Sequence, residues 1–409
     1  MPPPRTNECT RPLGIPQLLL FVCFGLAISL SPSFAQTTPR GVFPGMLSEF
    51  QQRALIVMDP RVVEDPDRTT SPCANPAALK VWSFGKLMGD MVGGDEAAAS
   101  KLVKDWLSQF RSVQDINDER VEPRNIDSIW RPWAATNFDV KLAPFRLLAI
   151  LSRADLLRSP LLAGENAGEI RFVFGAVDIS NAAACSPLPF AVILEYGVRV
   201  ADCDGLKEWA DGWVKLAAYD PASPDYRSRL EAIAAGIIGA GSLPAKPYGS
   251  AIDRVRTNEV LAGSQYQLRE FRLAPGKGLV QDTVAMTPRE DLNGKPSLTA
   301  FLKSIEQEIA AQDYWIPRRF PSSGREPLLA GASTAGTQWT DGGIFAVNTC
   351  SGCHGAENGT KSVHIDPVTR ELSSFLEQTE APRREEALRK LAKHGCEAKL
   401  DMKVRRLVH

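Results

Sequence analysis

Histidine is scarce in this chain and confined to its end. The 409 residues include 4 histidines, and all of them lie beyond residue 350. Upstream of that point we find no serine nucleophile-elbow motif, no glycine-rich phosphate loop and no pair of histidines at metal-binding spacing. Zinc or iron chemistry that depends on histidine is therefore not expected in the first 350 residues.

Neither sign of charge is in excess. The 47 lysines and arginines nearly cancel the 48 aspartates and glutamates. Because no strong overall field would attract nucleic acid or an anionic membrane, neither is expected as a partner. Hydrophobic residues at 44% and charged residues at 23% are typical of a folded globular protein, and the length allows two domains.

Long apolar runs are absent after the N-terminal region. The run Leu18–Leu30 follows two arginines and precedes Ser33 and Ala35, which occupy the two positions that a signal peptidase reads. It is shorter than the ~20 apolar residues that span a bilayer. Residues 1–35 are therefore predicted to be a signal peptide cleaved after Ala35. A cleaved signal peptide implies export to the periplasm or a similar compartment. No membrane span is expected after cleavage.

Helix and strand patterns alternate along residues 40–316. Short apolar runs typical of buried strands lie at 145–151, 170–177 and 190–194. A half-exposed hairpin is predicted for 266–273 and 279–286. Helical patterns lie at 95–110, 206–214, 226–238 and 297–309. These elements predict an α+β domain built from a mixed sheet with packed helices.

The last part of the chain differs in composition. Residues 317–336 are rich in Pro, Ser, Gly and Arg and are predicted to be a linker. The segment 337–409 is predicted to be small and mostly α-helical. Its helices are expected at 343–348, near 371–378 and at 382–394, with Gly395 just past the last of them.

One motif in this segment carries recognisable chemistry. Cys350, Cys353 and His354 form Cys-x-x-Cys-His, the signature of covalent haem attachment. Two thiols on one turn can each add to a vinyl group of the porphyrin and form a thioether. The histidine that follows is then placed to bind the iron.

The stretch 344–355 resembles the opening of mono-haem proteins of the cytochrome c superfamily, in which an apolar helix runs directly into Cys-x-x-Cys-His-Gly. The predicted helix at 382–394 is similar to the closing helix of that family. The resemblance is confined to the segment 337–409. It implies one covalent haem c, His354 as proximal iron ligand, and electron transfer or redox sensing with an unknown redox partner.

The second axial ligand of the family is usually a methionine that lies before the closing helix, and here no methionine lies between Cys353 and that helix. Met402 follows the helix. We favour His364, and Met402, another histidine or an open coordination position remain as alternatives. Two histidines imply a low-potential electron carrier, a methionine raises the potential, and an open iron could bind a small ligand.

The same residues allow other interpretations. Cys350, Cys353 and Cys396 with a histidine could form a zinc site, and the first two alone could form a thioredoxin-type redox pair. A haem could also be structural or sensory, in an exported binding or scaffold protein without turnover.

The four cysteines outside the motif and the signal peptide are expected to form disulfides in an oxidising compartment. They can pair in three ways. Cys185 and Cys203 flank the strand predicted at 190–194, so that pair is preferred, with Cys73 and Cys396 as the second pair.

The domain at 40–316 resembles uncharacterised exported bacterial proteins in which runs such as 145–150 and 256–259 precede a cysteine–histidine motif. No activity follows from that resemblance, and catalytic residues stay unknown. Two charged pairs are candidates: Glu169 with Arg171, and Arg256 with Glu259. We favour structural ion pairs or surface charge over catalysis for both.

Overall fold

The computed structural model describes residues 47–116, 119–157, 166–260, 266–284, 295–307, 363–398 and 400. All of them belong to one compact unit. The predicted signal peptide, the linker at 317–336 and the cysteine–histidine motif lie outside the described residues.

The nine described strands are β1 (Ile56–Val57), β2 (Gln114–Ile116), β3 (Glu119–Val121), β4 (Phe145–Arg153), β5 (Asn166–Asp178), β6 (Ser186–Arg199), β7 (Ile252–Val260), β8 (Tyr266–Ala274) and β9 (Gly278–Asp282). Seven of them form one sheet in the order β1-β4-β5-β6-β7-β8-β9, and β2 pairs with β3 in a separate ribbon.

Every strand pair of the large sheet is antiparallel. The α+β class is confirmed, but the prediction of a mixed sheet is wrong. From β4 to β9, each strand pairs with the next one in the chain, and the direction reverses each time. No parallel crossover is needed to build such a sheet.

The described helices are α1 (Glu49–Ala54), α2 (Pro60–Val63), α3 (Phe84–Asp90), α4 (Glu96–Ser108), α5 (Asp127–Ala134), α6 (Cys203–Leu216), α7 (Pro224–Ile238), α8 (Pro296–Ser304) and α9 (Ala381–His394). The helices predicted near 95–110, 206–214 and 226–238 are α4, α6 and α7. Asp95 caps α4, because its side chain accepts a hydrogen bond from the amide of Ala98. None of the described helices is both long and apolar enough to cross a membrane.

Aromatic side chains form the core between one face of the sheet and the helices α3 and α4. Phe84 of α3 lies 4.4 Å from Phe145 of β4, measured between ring centroids. Trp106 of α4 meets Phe271 of β8 edge-on, with centroids 5.9 Å apart. We call this side of the sheet the aromatic face. Its burial supplies a large hydrophobic contribution to stability.

The C-terminal helix α9 packs against α6 of the α+β body. It ends at Gly395, which has a φ of 53° and follows the last helical residue as predicted. A helix predicted at 371–378 is wrong in its bounds. Leu372 pairs with Ile365 in an isolated β-bridge, and a π-helical turn at Leu376–Glu380 leads directly into α9.

Candidate functional site

The three motif residues Cys350, Cys353 and His354 lie outside the described residues, as does Met402. Of the predicted ligands, His364 is described. His394 is the last residue of α9. The described part of the chain resumes at Val363, downstream of the motif.

His364 is held by a small hairpin formed by residues 363–373. Its Nδ1 lies 2.9 Å from Oγ of Ser373, and its carbonyl oxygen accepts a hydrogen bond from the amide of Ser373 at 2.9 Å. The ring of Phe375 lies 5.8 Å away, centroid to centroid. The contact with Ser373 engages Nδ1 and fixes the orientation of the ring. Ligating histidines usually have their second ring nitrogen fixed in this way.

The hairpin packs directly on the sheet at Gly175 of β5. A Cβ at Gly175 would lie 3.3 Å from both Cβ and the carbonyl oxygen of Pro367 and 2.9 Å from Cδ1 of Leu148. The absence of a side chain thus allows the hairpin to approach the strand closely. Arg370 also pairs with Glu64. The chain just downstream of the motif is therefore anchored to the α+β body.

Two disulfides are present, and their pairing differs from the preferred prediction. Cys73 pairs with Cys185, with Cα atoms 5.8 Å apart. Cys203 pairs with Cys396, with Cα atoms 5.2 Å apart. The predicted pair Cys185–Cys203 is wrong because the strand between them, β6, is 14 residues long. An extended strand of that length separates its ends by about 45 Å, far beyond the reach of a disulfide.

This pairing accounts for all cysteines of the predicted mature chain except Cys350 and Cys353. It also contradicts one alternative. A zinc site with Cys396 as a ligand is wrong, because a disulfide sulfur is not a thiolate. Two disulfides are compatible with an exported protein.

A buried network of charges lies on the opposite side of the sheet from the aromatic face, and we call this side the charged face. Two Arg171 nitrogens donate to Oε2 of Glu169, the closer at 2.6 Å. Glu195 lies 3.2 Å from Arg171 and 3.1 Å from Arg256. Arg256 donates to Glu270 at 3.1 Å. Charges of alternating sign thus run across four neighbouring strands, β5 to β8.

Burial and the neighbouring charges oppose each other in this network. Burial raises the pKa of Glu169, but the charges of Arg171 and Arg153 outweigh it, and the pKa is lowered from its usual value. For Glu195 burial prevails over Arg171 and Arg256, and the pKa is raised. Buried arginines keep their charge, so removal of any one partner leaves an uncompensated ion.

The two charged pairs singled out in the sequence have different outcomes. Glu169 and Arg171 do form an ion pair. Arg256 and Glu259 do not pair with each other, because three positions apart on β7 they point to opposite faces. Glu259 instead pairs with Arg269 on the aromatic face. Sequence reasoning missed this, since β7 was not predicted as a strand.

A second charged cluster attaches the start of α9 to the end of β4. Arg153 is paired with Asp155 at 2.9 Å, and Arg384 with Glu380 at 3.1 Å. Burial, reinforced by the charge of Arg153, lowers the pKa of Arg384 to about 10. Burial raises the pKa of Asp155, but Arg153 and Arg384 outweigh it and hold that pKa well below its usual 3.8.

Among the described residues, no group of three or more histidine, cysteine, aspartate or glutamate side chains is arranged to hold a metal ion. No family model matches the chain, and no curated protein or solved structure matches it either.

Proposed function

We propose that this protein is an exported c-type haem protein with an electron-transfer or redox role. One haem c would be attached through Cys350 and Cys353 in the cytochrome c-like segment 337–409. The observation that carries the proposal is the disulfide pairing. Because the other four cysteines of the mature chain are engaged with each other, the two motif thiols have no partner cysteine other than one another.

The motif residues Cys350, Cys353 and His354 suit a covalently attached haem. Two thiols with an adjacent imidazole suit two thioethers and a proximal iron ligand, His354. A bound haem would supply one-electron redox chemistry. As the second iron ligand we favour His364, whose ring is fixed by Ser373 through Nδ1, as the rings of ligating histidines usually are. Two imidazole ligands would give a low potential.

The anchoring of the C-terminal segment supports a carrier role. Downstream of His364 the described chain is tied to the α+β body at two points, at Gly175 through Pro367 and at Cys203 through Cys396. Electron transfer benefits from a fixed distance between donor and acceptor, and a covalent tie limits relative motion. The redox partner is unidentified, and the proposed compartment is the periplasm or an equivalent one.

The proposal is tested by expression with a haem c maturation system, followed by a denaturing gel stained for haem peroxidase activity. We expect stain on the wild-type band and none on the Cys350→Ala, Cys353→Ala double variant. The matched control is Cys73→Ala with Cys185→Ala, which removes two cysteines outside the motif and should keep the stain. An unstained wild-type band contradicts the proposal.

The second ligand is tested separately by optical spectra of the reduced holoprotein. His364→Ala should convert a low-spin spectrum to a high-spin one, and Ser373→Ala should shift the midpoint potential while the iron stays low-spin. His394→Ala is the control and should change neither. A low-spin spectrum that survives His364→Ala rules out His364 as the ligand.

A further inference from the structure

The order of the four disulfide cysteines along the chain does not match their native pairing. Cys73 is bonded to Cys185 and Cys203 to Cys396, across 112 and 193 residues of sequence. Cys185 and Cys203, by contrast, are only 18 residues apart and are not bonded to each other. The cysteine nearest to Cys185 in the sequence is therefore not the one with which it pairs.

In the unfolded chain the shorter loop closes more often. The probability of closing a flexible loop falls with about the 3/2 power of its length. Cys185 therefore meets Cys203 about 15-fold more often than it meets Cys73. Cys203 meets Cys185 about 35-fold more often than it meets Cys396, which is also the last cysteine of the sequence to enter the compartment during export.

The native bond of Cys185 depends on a folded turn. Cys185 lies directly before β6, and its φ of 40° is in the left-handed region, which residues other than glycine seldom adopt. The next residue, Ser186, pairs with Asp178 of β5, so the turn closes the β5–β6 hairpin. The position of Cys185 opposite Cys73 is therefore set by the folded hairpin and not by the unfolded chain.

A bond between Cys185 and Cys203 is incompatible with this hairpin. The two cysteines flank β6, whose 14 extended residues separate its ends by about 45 Å. A disulfide holds two Cα atoms within about 7 Å of each other. Because β6 pairs with both β5 and β7, the large sheet cannot be completed while that bond exists. The bond that forms most readily in the unfolded chain must therefore be broken.

We propose that the exported chain is a substrate of a thiol–disulfide isomerase, which transfers Cys185 from Cys203 to Cys73. A thiolate of the isomerase attacks Sγ of Cys185, the bond to Cys203 breaks, and Cys203 leaves as a thiolate. The Cys73 thiolate then attacks the same Sγ, forms the native bond and releases the isomerase thiolate. One disulfide is present before and after the exchange, so no oxidant is consumed.

The released Cys203 then pairs with Cys396. This second bond is new, and its two electrons pass to the same disulfide donor that formed the first bond. Uncatalysed rearrangement takes minutes to hours, which is slow compared with synthesis of the chain at roughly 5–20 residues per second. A catalyst is therefore needed for the exchange to keep pace with export. The inference rests on the proposed export to an oxidising compartment and does not depend on the haem.

The test is oxidative refolding of the reduced mature chain that carries Cys350→Ala and Cys353→Ala, so that the result is independent of the haem proposal. Samples taken over time from a glutathione buffer are blocked with iodoacetamide and mapped without reduction. We expect the peptide linking Cys185 to Cys203 to appear first and to decay as the two native pairs accumulate. An added isomerase should shorten its lifetime by about tenfold or more, and an isomerase whose active-site cysteines are replaced by serine should not.

A matched variant removes the competing cysteine. Cys203→Ala with Cys396→Ala, in the same background, should form the Cys73–Cys185 bond directly, at a rate that the isomerase leaves unchanged. The proposal is overturned if Cys73–Cys185 is the first bond of the four-cysteine chain without isomerase. A Cys185–Cys203 species whose lifetime the isomerase does not change overturns it as well. Both of these readings come from the four-cysteine chain, so they stand even where the variant does not fold.

Discussion

Cys203 and Cys396 are joined across 193 residues of sequence, with Cα atoms 5.2 Å apart. Cys203 is the first residue of α6, and Cys396 lies in the turn that follows α9. The disulfide therefore ties the end of the last helix to the α+β body, while the helix also packs against the turn Ala154–Leu156 that follows β4. The C-terminal helix is held both covalently and by packing.

Loss of this tie should destabilise the protein. Cys203→Ser with Cys396→Ser is expected to lower the free energy of unfolding by about 2–5 kcal/mol, because the unfolded chain regains the entropy of a long loop. Denaturant unfolding measures the change. Peptide mapping without reduction should recover the pairs 73–185 and 203–396, and a peptide linking 185 to 203 would contradict the structure.

The charged face should depend on complete pairing. Arg171→Met leaves Glu169 and Glu195 without their shared cation and should cost about 3–5 kcal/mol in the free energy of unfolding. The control is Arg120→Met, which removes an exposed pair with Glu122 and should leave stability nearly unchanged. Equal effects of the two variants in urea unfolding would argue against a buried network.

The stability contribution of Asp155 should depend on pH with a defined sign. Its pKa is lowered in the folded state, so the contribution is complete above the usual pKa of 3.8 and is lost as the pH falls below it. Asp155→Asn should therefore cost about 3–5 kcal/mol at pH 6, because Arg153 is left buried without its partner. The difference from wild type should be smaller at pH 3. A difference that is unchanged between the two pH values contradicts this assignment.

Contact between the hairpin at 363–373 and the sheet is tested at Gly175. Gly175→Ala adds a Cβ that Pro367 and Leu148 leave no room for, and it should cost about 1–3 kcal/mol. Amide exchange within 363–373 should become faster. Gly236→Ala is the matched control: it lies in helix α7 with nothing within 4 Å of the new Cβ, and it should stabilise the protein by about 0.5–1 kcal/mol.

Much of the fold follows from hydrophobic pattern. The strands at 145–151, 170–177 and 190–194 were predicted because buried strands of this kind are continuous apolar runs. β5 and β6 extend beyond those runs to Asn166–Asp178 and Ser186–Arg199, through Glu169 and Glu195. Charged residues end an apolar pattern, so pattern alone stops short of positions at which ion pairs make burial possible.

The hydrophobic pattern does not predict strand β7 at all. Its sequence, Ile-Asp-Arg-Val-Arg-Thr-Asn-Glu-Val, is mostly polar, yet both of its faces are covered. Arg256 is paired on one face and Glu259 on the other. Cross-strand partners from β6 and β8 decide this burial, and they are distant in sequence. The pairing of the cysteines was unpredictable for the same reason, because it depends on the true length of β6.

The proposed haem attachment depends on the Cys-x-x-Cys-His motif, whose two cysteines are the ones that the two disulfides do not include. Its most direct test is the intact mass of the purified mature protein after expression with a haem c maturation system. The account predicts a mass that exceeds the polypeptide from residue 36 onward by one covalently bound haem, with the excess absent from the Cys350→Ala, Cys353→Ala variant. A mature wild-type protein that weighs only as much as its amino acids contradicts the account.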